Sequence, residues 1–286
     1  MSNYLVSITC ITFNHVKYLK KCLNGFLMQK TNFPFEIIIH DDASTDGTTE
    51  IIKKYKKKYP NLIQPIYQTQ NKYSKGYKIA HEFVYPKAQG KYIAICEGDD
   101  YWTDPYKLQK QVDFLENNPD YNICGTMVKA IDEKGIEHPH NSRKTGEIIL
   151  DDILRRNQFA TCSVVFRNHL VKYPYFKNSN KYFTGDWQLW AALLSKGKGY
   201  NLKDITAQYN IHTAGAVSGR NLTKTLHDKL NDRLLMIENF PDKKKIIKSY
   251  GMRIILHYFK NTLKGKFPYL KSLLGNKKII FKFILS

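Results

Sequence analysis

The stretch "KYIAICEGDDYWTDP", residues 91–105, runs a short apolar segment directly into three carboxylates and then into two aromatic side chains. A short apolar run bounded by turn residues predicts a buried strand over 91–96. The carboxylates belong to Glu97, Asp99 and Asp100. They gather at the predicted strand end although the 286-residue chain has a formal net charge of +20. The grouping of three carboxylates in a basic chain therefore indicates a specific role for them.

Strand and helix patterns alternate on either side of this stretch. We predict strands over 4–12, 35–40, 61–68, 91–96, 121–130 and 161–166. We predict helices over 16–29, 47–58, 76–88, 105–117, 147–157 and 185–196. Repeated strand–helix units predict an α/β fold with a mainly parallel sheet flanked by helices, in which ligands bind at the carboxyl ends of the strands.

The last part of the chain reads as helical and basic, and we predict a domain boundary between 1–220 and 221–286. From Lys243 to Ser286 the sequence holds twelve Lys or Arg and no Asp or Glu. Lysine mixed with Ile, Leu and Phe predicts helices that lie on an anionic membrane surface. The alternative is a solvated cationic face whose apolar side packs onto the domain.

Composition narrows the class of protein. With 42% apolar and 24% charged residues, the chain has the balance of a globular protein. The start "MSNYLVSITCITFN" lacks signal-peptide features, and no window has the roughly 18 apolar residues of a spanning helix, so we expect a cytoplasmic protein that contacts the inner face of the membrane. Five scattered cysteines without a CxxC pair predict reduced packing residues.

Two groups of acidic residues follow predicted strands. Asp99 and Asp100 suit Mg²⁺ or Mn²⁺, which commonly takes one or two protein carboxylates and completes its shell with phosphate and water. A solvated turn is the alternative. Asp41 and Asp42 end the second strand, where a carboxylate can accept the ring N–H of a pyrimidine base, whereas residues 44–46 are expected to cap the next helix.

Ordered motifs identify a resemblance that covers roughly residues 4–215. They are "VSITCITFNHVKYLKKCL", "IIIHDDASTDGT", "GKYIAICEGDDYWTDPYKLQKQVDFLENNPDY", "TGDWQLWAALLSKGK" and "YNIHTAGAVSG". In this order they resemble the family 2 glycosyltransferases of the GT-A fold. The resemblance implies transfer of a sugar from a nucleotide-diphosphate donor with inversion.

The resemblance also implies roles for individual residues. Thr12 and Phe13 would border the nucleotide base, and Asp42 would bind it, with Asp41 as a second candidate. Asp99 would lie near the ribose and metal, Asp100 would be the principal metal ligand, and His212 would approach the metal or diphosphate. Asp186 would be the catalytic base. The chain departs from the family at Ile11, Glu97 and Asn210. These departures leave the donor and the role of Glu97 open.

Aromatic residues beside the acidic motifs suggest an acceptor site. Tyr101, Trp102 and Trp187 can stack on a sugar, although buried aromatics at such positions are also common in protein cores. Asp186 itself can be a first-turn carboxylate favoured by the helix dipole, with Thr184 as the cap.

We therefore expect a metal-dependent inverting glycosyltransferase with a UDP-sugar as the favoured donor and a glycan or lipid-linked acceptor. A sugar-phosphate nucleotidyltransferase should carry a Gly-rich phosphate loop after the first strand, where this chain has "TFNHVKY". A basic nucleic-acid-binding protein would account for the net charge but not for the acidic strand ends.

Overall fold

The computed structural model describes residues 4–138, 144–170, 172, 174–213 and 221–286. The chain groups into two compact units. The first comprises Met1–Ile148, Gln158–Lys172 and Leu193–Ile211, and the second comprises Ile149–Asn157, Tyr173–Ala192 and His212–Ser286. The predicted boundary at residue 220 adjoins residues 214–220, which lie outside the described residues, and it stays a prediction.

The first unit is built on one sheet. In the described residues its strands are β1 (Val6–Thr12), β2 (Phe35–Asp41), β3 (Ile63–Tyr67), β4 (Tyr92–Ile95), β5 (Tyr101–Trp102), β6 (Tyr121–Asp132), β7 (Glu137–His138), β8 (Gly146–Ile148), β9 (Val165–Arg167) and β10 (Lys198–Ile211). The order is β3-β2-β1-β4-β9-β6-β10-β5, with β7 on β6 and β8 on β10. β3, β2, β1 and β4 run parallel, as do β6 and β10, whereas β9 is antiparallel to both of its neighbours. The predicted α/β fold class is confirmed.

The helices occupy both units. They are α1 (Leu19–Leu27), α2 (Thr48–Lys58), α3 (Lys107–Asn117), α4 (Leu150–Arg155), α5 (Gly185–Leu194), α6 (Leu222–Asn239), α7 (Lys244–Leu263), α8 (Phe267–Gly275) and α9 (Lys277–Leu285). None of the helices in the described ranges is both long enough and apolar enough to cross a membrane.

Each unit has its own core. In the first unit, Ile8 of β1 and Ile37 of β2 pack with Phe26 of α1 and Leu115 of α3, all fully buried. β1 and β2 are buried along almost their whole length, as expected for strands inside a sheet with both faces covered, although β1 alternates apolar residues with buried Ser and Thr. All five cysteines are buried and free, which confirms their predicted packing role.

Three local predictions need correction. Residues 76–88 form short turns of 3-10 and π type rather than one α-helix, because Gly76 lies in the left-handed region at φ 88° and Pro86 has no N–H to donate. Residues 161–163 form a 3-10 turn, so the strand predicted over 161–166 begins only at Val165. β10, a strand of 14 residues, was not predicted; register shifts along its pairing with β6 interrupt a regular alternation.

Candidate functional site

The first unit brings the ends of β1 and β2 side by side. Thr12 pairs with Asp41 in the parallel register, and the Asp42 N–H donates to the Thr12 carbonyl oxygen at 3.0 Å. Asn14 and Ala43 follow with φ angles of 57° and 63°. Two non-glycine residues in the left-handed region show that tertiary contacts hold both loops in a less favourable conformation, a feature that concentrates at functional sites.

Asp41 shapes its own loop. One carboxylate oxygen accepts the Ser44 N–H at 3.1 Å and the Ser44 hydroxyl at 2.5 Å, and the other accepts the Thr49 hydroxyl at 2.5 Å. The side chain is 2% exposed. These contacts favour a structural role for Asp41 over its predicted second place at the base.

Asp42 joins β2 to the segment that follows β3. Its two carboxylate oxygens accept the backbone N–H groups of Lys72 at 2.8 Å and Tyr73 at 2.9 Å. Each carboxylate oxygen has a further lone pair, so these contacts leave acceptor capacity for a base. The predicted contact with the base stays a prediction.

The N-cap residue of α2 is Gly47, with no side-chain capping hydrogen bond, so the prediction that residues 44–46 supply the cap is wrong. Asp46 instead bonds the first residue of the helix and the loop after β1. One Asp46 oxygen accepts the Thr48 N–H at 3.0 Å, and the other accepts the Val16 N–H at 3.0 Å. Ser44 instead pairs with Asp41. Asp46 thus links the start of α2 to the loop that follows β1.

Thr12 and Phe13 differ in exposure. Phe13 is 41% exposed at the end of β1, which is the accessibility that a base-stacking side chain needs. Thr12 is fully buried, and its hydroxyl oxygen has no hydrogen-bond partner among the described residues. Buried polar groups are rarely left unsatisfied, so this hydroxyl is a candidate to contact a ligand or water.

The acidic turn after β4 packs directly on the end of β1. The Gly98 N–H donates to the Ile11 carbonyl oxygen at 3.0 Å. A Cβ at Gly98 would lie 2.9 Å from both Cβ and Oγ1 of Thr12. Position 98 therefore accepts only glycine without a shift of the turn.

Asn210 of β10 holds the turn from the other side. Its backbone N–H donates to Asp100 Oδ1 at 2.8 Å, and its side-chain amide donates to the Asp99 carbonyl oxygen at 2.5 Å. Sequence analysis noted Asn210 only as a departure from the family pattern. Its structural role follows from the antiparallel pairing of β10 with β5, which directly follows Asp100 and which local patterns do not show.

The turn is an electronegative site. Asp100 is 3% exposed, and its pKa is raised well above the usual range by burial first, then by Asp99 and Glu97. Burial, Asp100, Glu97 and Asp99 also raise the pKa of Tyr209. His15 Nε2 lies 3.7 Å from Asp99 Oδ2. A bound divalent cation would stabilise the ionised form of Asp100.

The residues of the turn fit a hard divalent cation with few protein ligands. Among the residues with described positions, no group of three or more His, Cys, Asp or Glu side chains converges as a metal site. Mg²⁺ and Mn²⁺ sites of the phosphate-transfer type need only one or two carboxylates. Asp100 supplies one buried carboxylate in such a setting.

Two of the three aromatic acceptor candidates belong to protein cores. Trp102 is 2% exposed, donates Nε1–H to the Cys162 carbonyl oxygen at 2.8 Å and has the Lys107 ammonium 4.3 Å from its ring centroid. Trp187, 5% exposed, donates to the Ile153 carbonyl oxygen at 2.7 Å. Neighbouring atoms cover both rings, which argues against their stacking on an acceptor, and that role stays a prediction. Tyr101 is half-buried, donates its hydroxyl to Gln208 and remains a candidate.

Lys107 is a buried residue that sequence analysis did not single out. It is fully buried, donates to Gln111 Oε1 at 2.7 Å, and burial lowers its pKa to about 8. The only sequence signal was its place one turn before Gln111 on the apolar side of α3.

The second unit contains Asp186, Trp187 and His212. Asp186, half-buried in the first turn of α5, accepts the Asn157 side-chain amide at 2.9 Å and the Trp187 N–H at 2.8 Å. His212 is 5% exposed. The roles of Asp186 as base and of His212 near the metal stay predictions.

Asp232 of α6 anchors the segment that leads into Asp186. Its carboxylate accepts the N–H groups of Phe183 at 2.8 Å and Thr184 at 3.0 Å, together with the Thr184 hydroxyl. Burial raises the pKa of Asp232. No local sequence pattern signals this contact, because the partners are 48 and 49 residues apart.

Comparison with known proteins shows which family and which relatives the chain is similar to. A family model described as glycosyl transferase family 2 matches residues 7–177. The chain is 43% identical over 165 residues to the uncharacterized protein Rv1520 of Mycobacterium tuberculosis, covering 57% of this chain and 46% of that protein. It is 29% identical over 246 residues to the Escherichia coli protein WfaP, which is named a UDP-Glc:alpha-D-GlcNAc-diphosphoundecaprenol beta-1,3-glucosyltransferase. The alignment covers 82% of this chain and 91% of WfaP. The chain thus spans about half the length of the first curated relatives that it matches.

Solved structures show the same fold. Staphylococcus aureus TarS 1-349 in complex with UDP-GlcNAc aligns with a TM-score of 0.69 at 19% identity, covering 94% of this chain and 79% of that one. The mannosyltransferase PcManGT from Pyrobaculum calidifontis, in complex with GDP-Man and Mn²⁺, aligns with a TM-score of 0.66 at 15% identity, covering 97% and 76%. These likenesses show the GT-A fold. The family match favours sugar transfer over the nucleotidyltransferase and nucleic-acid-binding alternatives, and the chain belongs to glycosyl transferase family 2.

Proposed function

We propose that this enzyme transfers a sugar, with inversion, from a UDP-sugar to a glycan or lipid-linked acceptor in cell-surface polysaccharide synthesis. The observation that carries the proposal is the buried Asp100 in the acidic turn, set beside the loops of β1 and β2. The named activity of WfaP supports a UDP donor and a lipid-linked acceptor. We also expect the enzyme to work at the inner face of the membrane, where such an acceptor is presented.

Donor binding is assigned to the first unit. Phe13 would stack on the base, and Asp42 would accept its ring N–H. Asp99 would contact the ribose, and Asp100 would hold Mg²⁺ or Mn²⁺. His212, which belongs to the second unit, stays a separate prediction. The bound metal would supply Lewis-acid stabilisation of the charge that develops on the leaving diphosphate.

Proton transfer is assigned to Asp186. Displacement at the anomeric carbon requires the acceptor hydroxyl to lose a proton, and a carboxylate positioned for this contributes about 10²- to 10⁴-fold. A base on the face opposite the leaving group gives inversion, as in inverting hydrolases. Asn157 and Asp232 support Asp186, one by direct contact and the other through the preceding segment.

The metal assignment is tested by Asp100→Asn. Because burial raises the pKa of Asp100, we expect the neutral amide to fold at least as stably as the parent when no metal is added. UDP with Mn²⁺ at ~100 times its Kd should stabilise the parent by about 2.7 kcal/mol. The variant should lose this stabilisation, and Asp113→Asn, on the exposed side of α3, should keep it. Equal stabilisation of all three proteins would refute Asp100 as the ligand.

The base assignment is tested by Asp186→Asn. An amide can keep the contacts to Asn157 and to the Trp187 N–H, since the Asn157 amide can turn its oxygen toward the new donor. We expect transfer to fall by at least about 10²-fold while UDP binding stays within about two-fold. Equal loss of transfer and of UDP binding would mean that Asp186 acts structurally or in the donor site. A panel of UDP, GDP, dTDP and CMP, each with and without Mn²⁺, identifies the base.

A further inference from the structure

Helices α7, α8 and α9 repeat one spacing of side chains. "LHYFKNTL" (256–263) and "FPYLKSLL" (267–274) each carry apolar residues at their first, fourth and eighth positions and lysine at the fifth. "KIIFKFIL" (278–285) repeats the spacing with lysine in first place. Residues three, four and seven apart lie on one face of a helix. Each helix therefore has a face that combines apolar side chains with lysine.

These faces are exposed. The apolar side chains of the repeat are Leu256 (52% exposed), Phe259 (51%), Leu263 (85%), Phe267 (78%), Leu270 (39%), Leu274 (64%), Phe281 (65%) and Leu285 (68%). Phe267, Leu270 and Leu274 line an open groove along α8. Monomeric proteins seldom expose so many large apolar side chains on consecutive elements without a binding role.

The fold does not need these faces, because the helices pack through different residues. Ile255 and Tyr258 of α7, Leu273 of α8 and Phe283 of α9 form one buried cluster with leucines of α6. The tail thus has an inner apolar side, which packs within its unit, and a second apolar side, which nothing described in the unit covers. The alternative of a merely solvated cationic face does not account for the second side.

The positive charge around the second apolar side indicates what kind of partner covers that side. Residues 243–286 contain twelve Lys or Arg and no Asp or Glu. Seven lysines from α7 to α9 are exposed: Lys260, Lys264, Lys266, Lys271, Lys277, Lys278 and Lys282. A second copy of the chain would bring like charges together, whereas an anionic bilayer attracts the lysines and takes up the apolar side chains.

We propose that the exposed faces of α7, α8 and α9 form a docking surface for anionic lipid. Their Leu and Phe side chains enter the acyl boundary, and the lysines contact the headgroups. The proposal deepens the membrane location in the proposed function. Its test measures lipid binding alone, so that either proposal can fail without the other.

The test is flotation of the full chain with vesicles of phosphatidylcholine alone and of phosphatidylcholine with phosphatidylglycerol. One variant changes Leu263→Ser, Phe267→Ser and Leu274→Ser. A second changes Lys260→Gln, Lys271→Gln and Lys282→Gln. The matched control changes three exposed lysines of α2, Lys53→Gln, Lys54→Gln and Lys57→Gln. All nine substituted positions are exposed in the parent structure. Circular dichroism and thermal unfolding check that each variant is folded.

We expect the parent chain to float only with anionic vesicles. Each lysine near anionic lipid should raise the affinity for the membrane roughly five-fold. The variant that lacks three lysines should therefore bind anionic vesicles roughly 100-fold more weakly. The serine variant should bind at least about 10-fold more weakly, and the α2 control should bind as the parent does. Absence of parent binding, or equal loss in the α2 control, would overturn the proposal. So would a dimer of the parent that the serine changes dissociate without any effect on lipid binding.

Discussion

Gly98→Ala tests whether the acidic turn is held at the position that the structure gives it. An added Cβ would lie 2.9 Å from Cβ and Oγ1 of Thr12 and 3.0 Å from Nδ1 of His15. Carbon atoms pack at about 3.5–4.0 Å, so the turn must retreat by roughly 0.5–1 Å. Overpacking of this kind costs about 1–3 kcal/mol. For a chain of this size we expect Tm to fall by about 2–10 °C.

The same shift should affect transfer, because Asp99 and Asp100 move with the turn. A misplacement of about 1 Å can cost about 10²-fold in rate. We therefore expect kcat/KM to fall by about 10- to 100-fold. The loss should appear in UDP and Mn²⁺ binding as well as in transfer, since the displaced carboxylates are assigned to the donor.

Thermal unfolding, UDP titration and transfer kinetics measure the three effects. Gly185→Ala is the control for stability, because a Cβ there meets no atom within 4 Å, and its Tm should not fall. Adding Thr12→Gly to Gly98→Ala removes two of the three clashing atoms and should recover part of the lost Tm relative to the sum of the single changes. Parent-like Tm and kinetics for Gly98→Ala would refute the close packing of the turn against β1.

Three further predictions concern buried residues. Burial lowers the pKa of Lys107 from its ordinary 10.5 to about 8, so the folded state loses that proton at a lower pH than the unfolded state does. Relative to Lys107→Met, the unfolding free energy of the parent in urea should therefore rise by about 2 kcal/mol from about pH 7.5 to about pH 9.5. A difference in unfolding free energy that stays constant over this pH range would contradict the burial of the Lys107 amine. Asp41→Ala should lower the unfolding free energy by about 2–4 kcal/mol in urea, because it leaves the Ser44 and Thr49 donors without their acceptor, and a change within about 0.5 kcal/mol would contradict the loop-shaping role. Trp102→Phe should lower stability by about 1–3 kcal/mol and leave the KM for acceptor unchanged, and a selective rise in acceptor KM would restore the sugar-stacking interpretation.

The sequence predicted the order of elements in the first half of the chain, because strand and helix periodicities are local properties. It also predicted which polar residues follow the strands. β1, β2 and β4 are confirmed as parallel neighbours, and Thr12, Asp41 and the acidic turn lie at their carboxyl ends. The family resemblance rests on the same local motifs, and the family match confirms it.

Only the tertiary structure decided which of these residues are accessible. Trp102 and Trp187 lie beside acidic motifs, yet neighbours distant in sequence cover both rings. Asp232 reaches Thr184 across 48 residues, and Asn210 reaches Asp100 across 110. In α7 to α9 the sequence contains two apolar faces, and packing determines which one is buried. Burial and hydrogen bonding depend on atoms brought together by the whole fold, whereas a sequence pattern reports only the few residues within one helical turn or one strand.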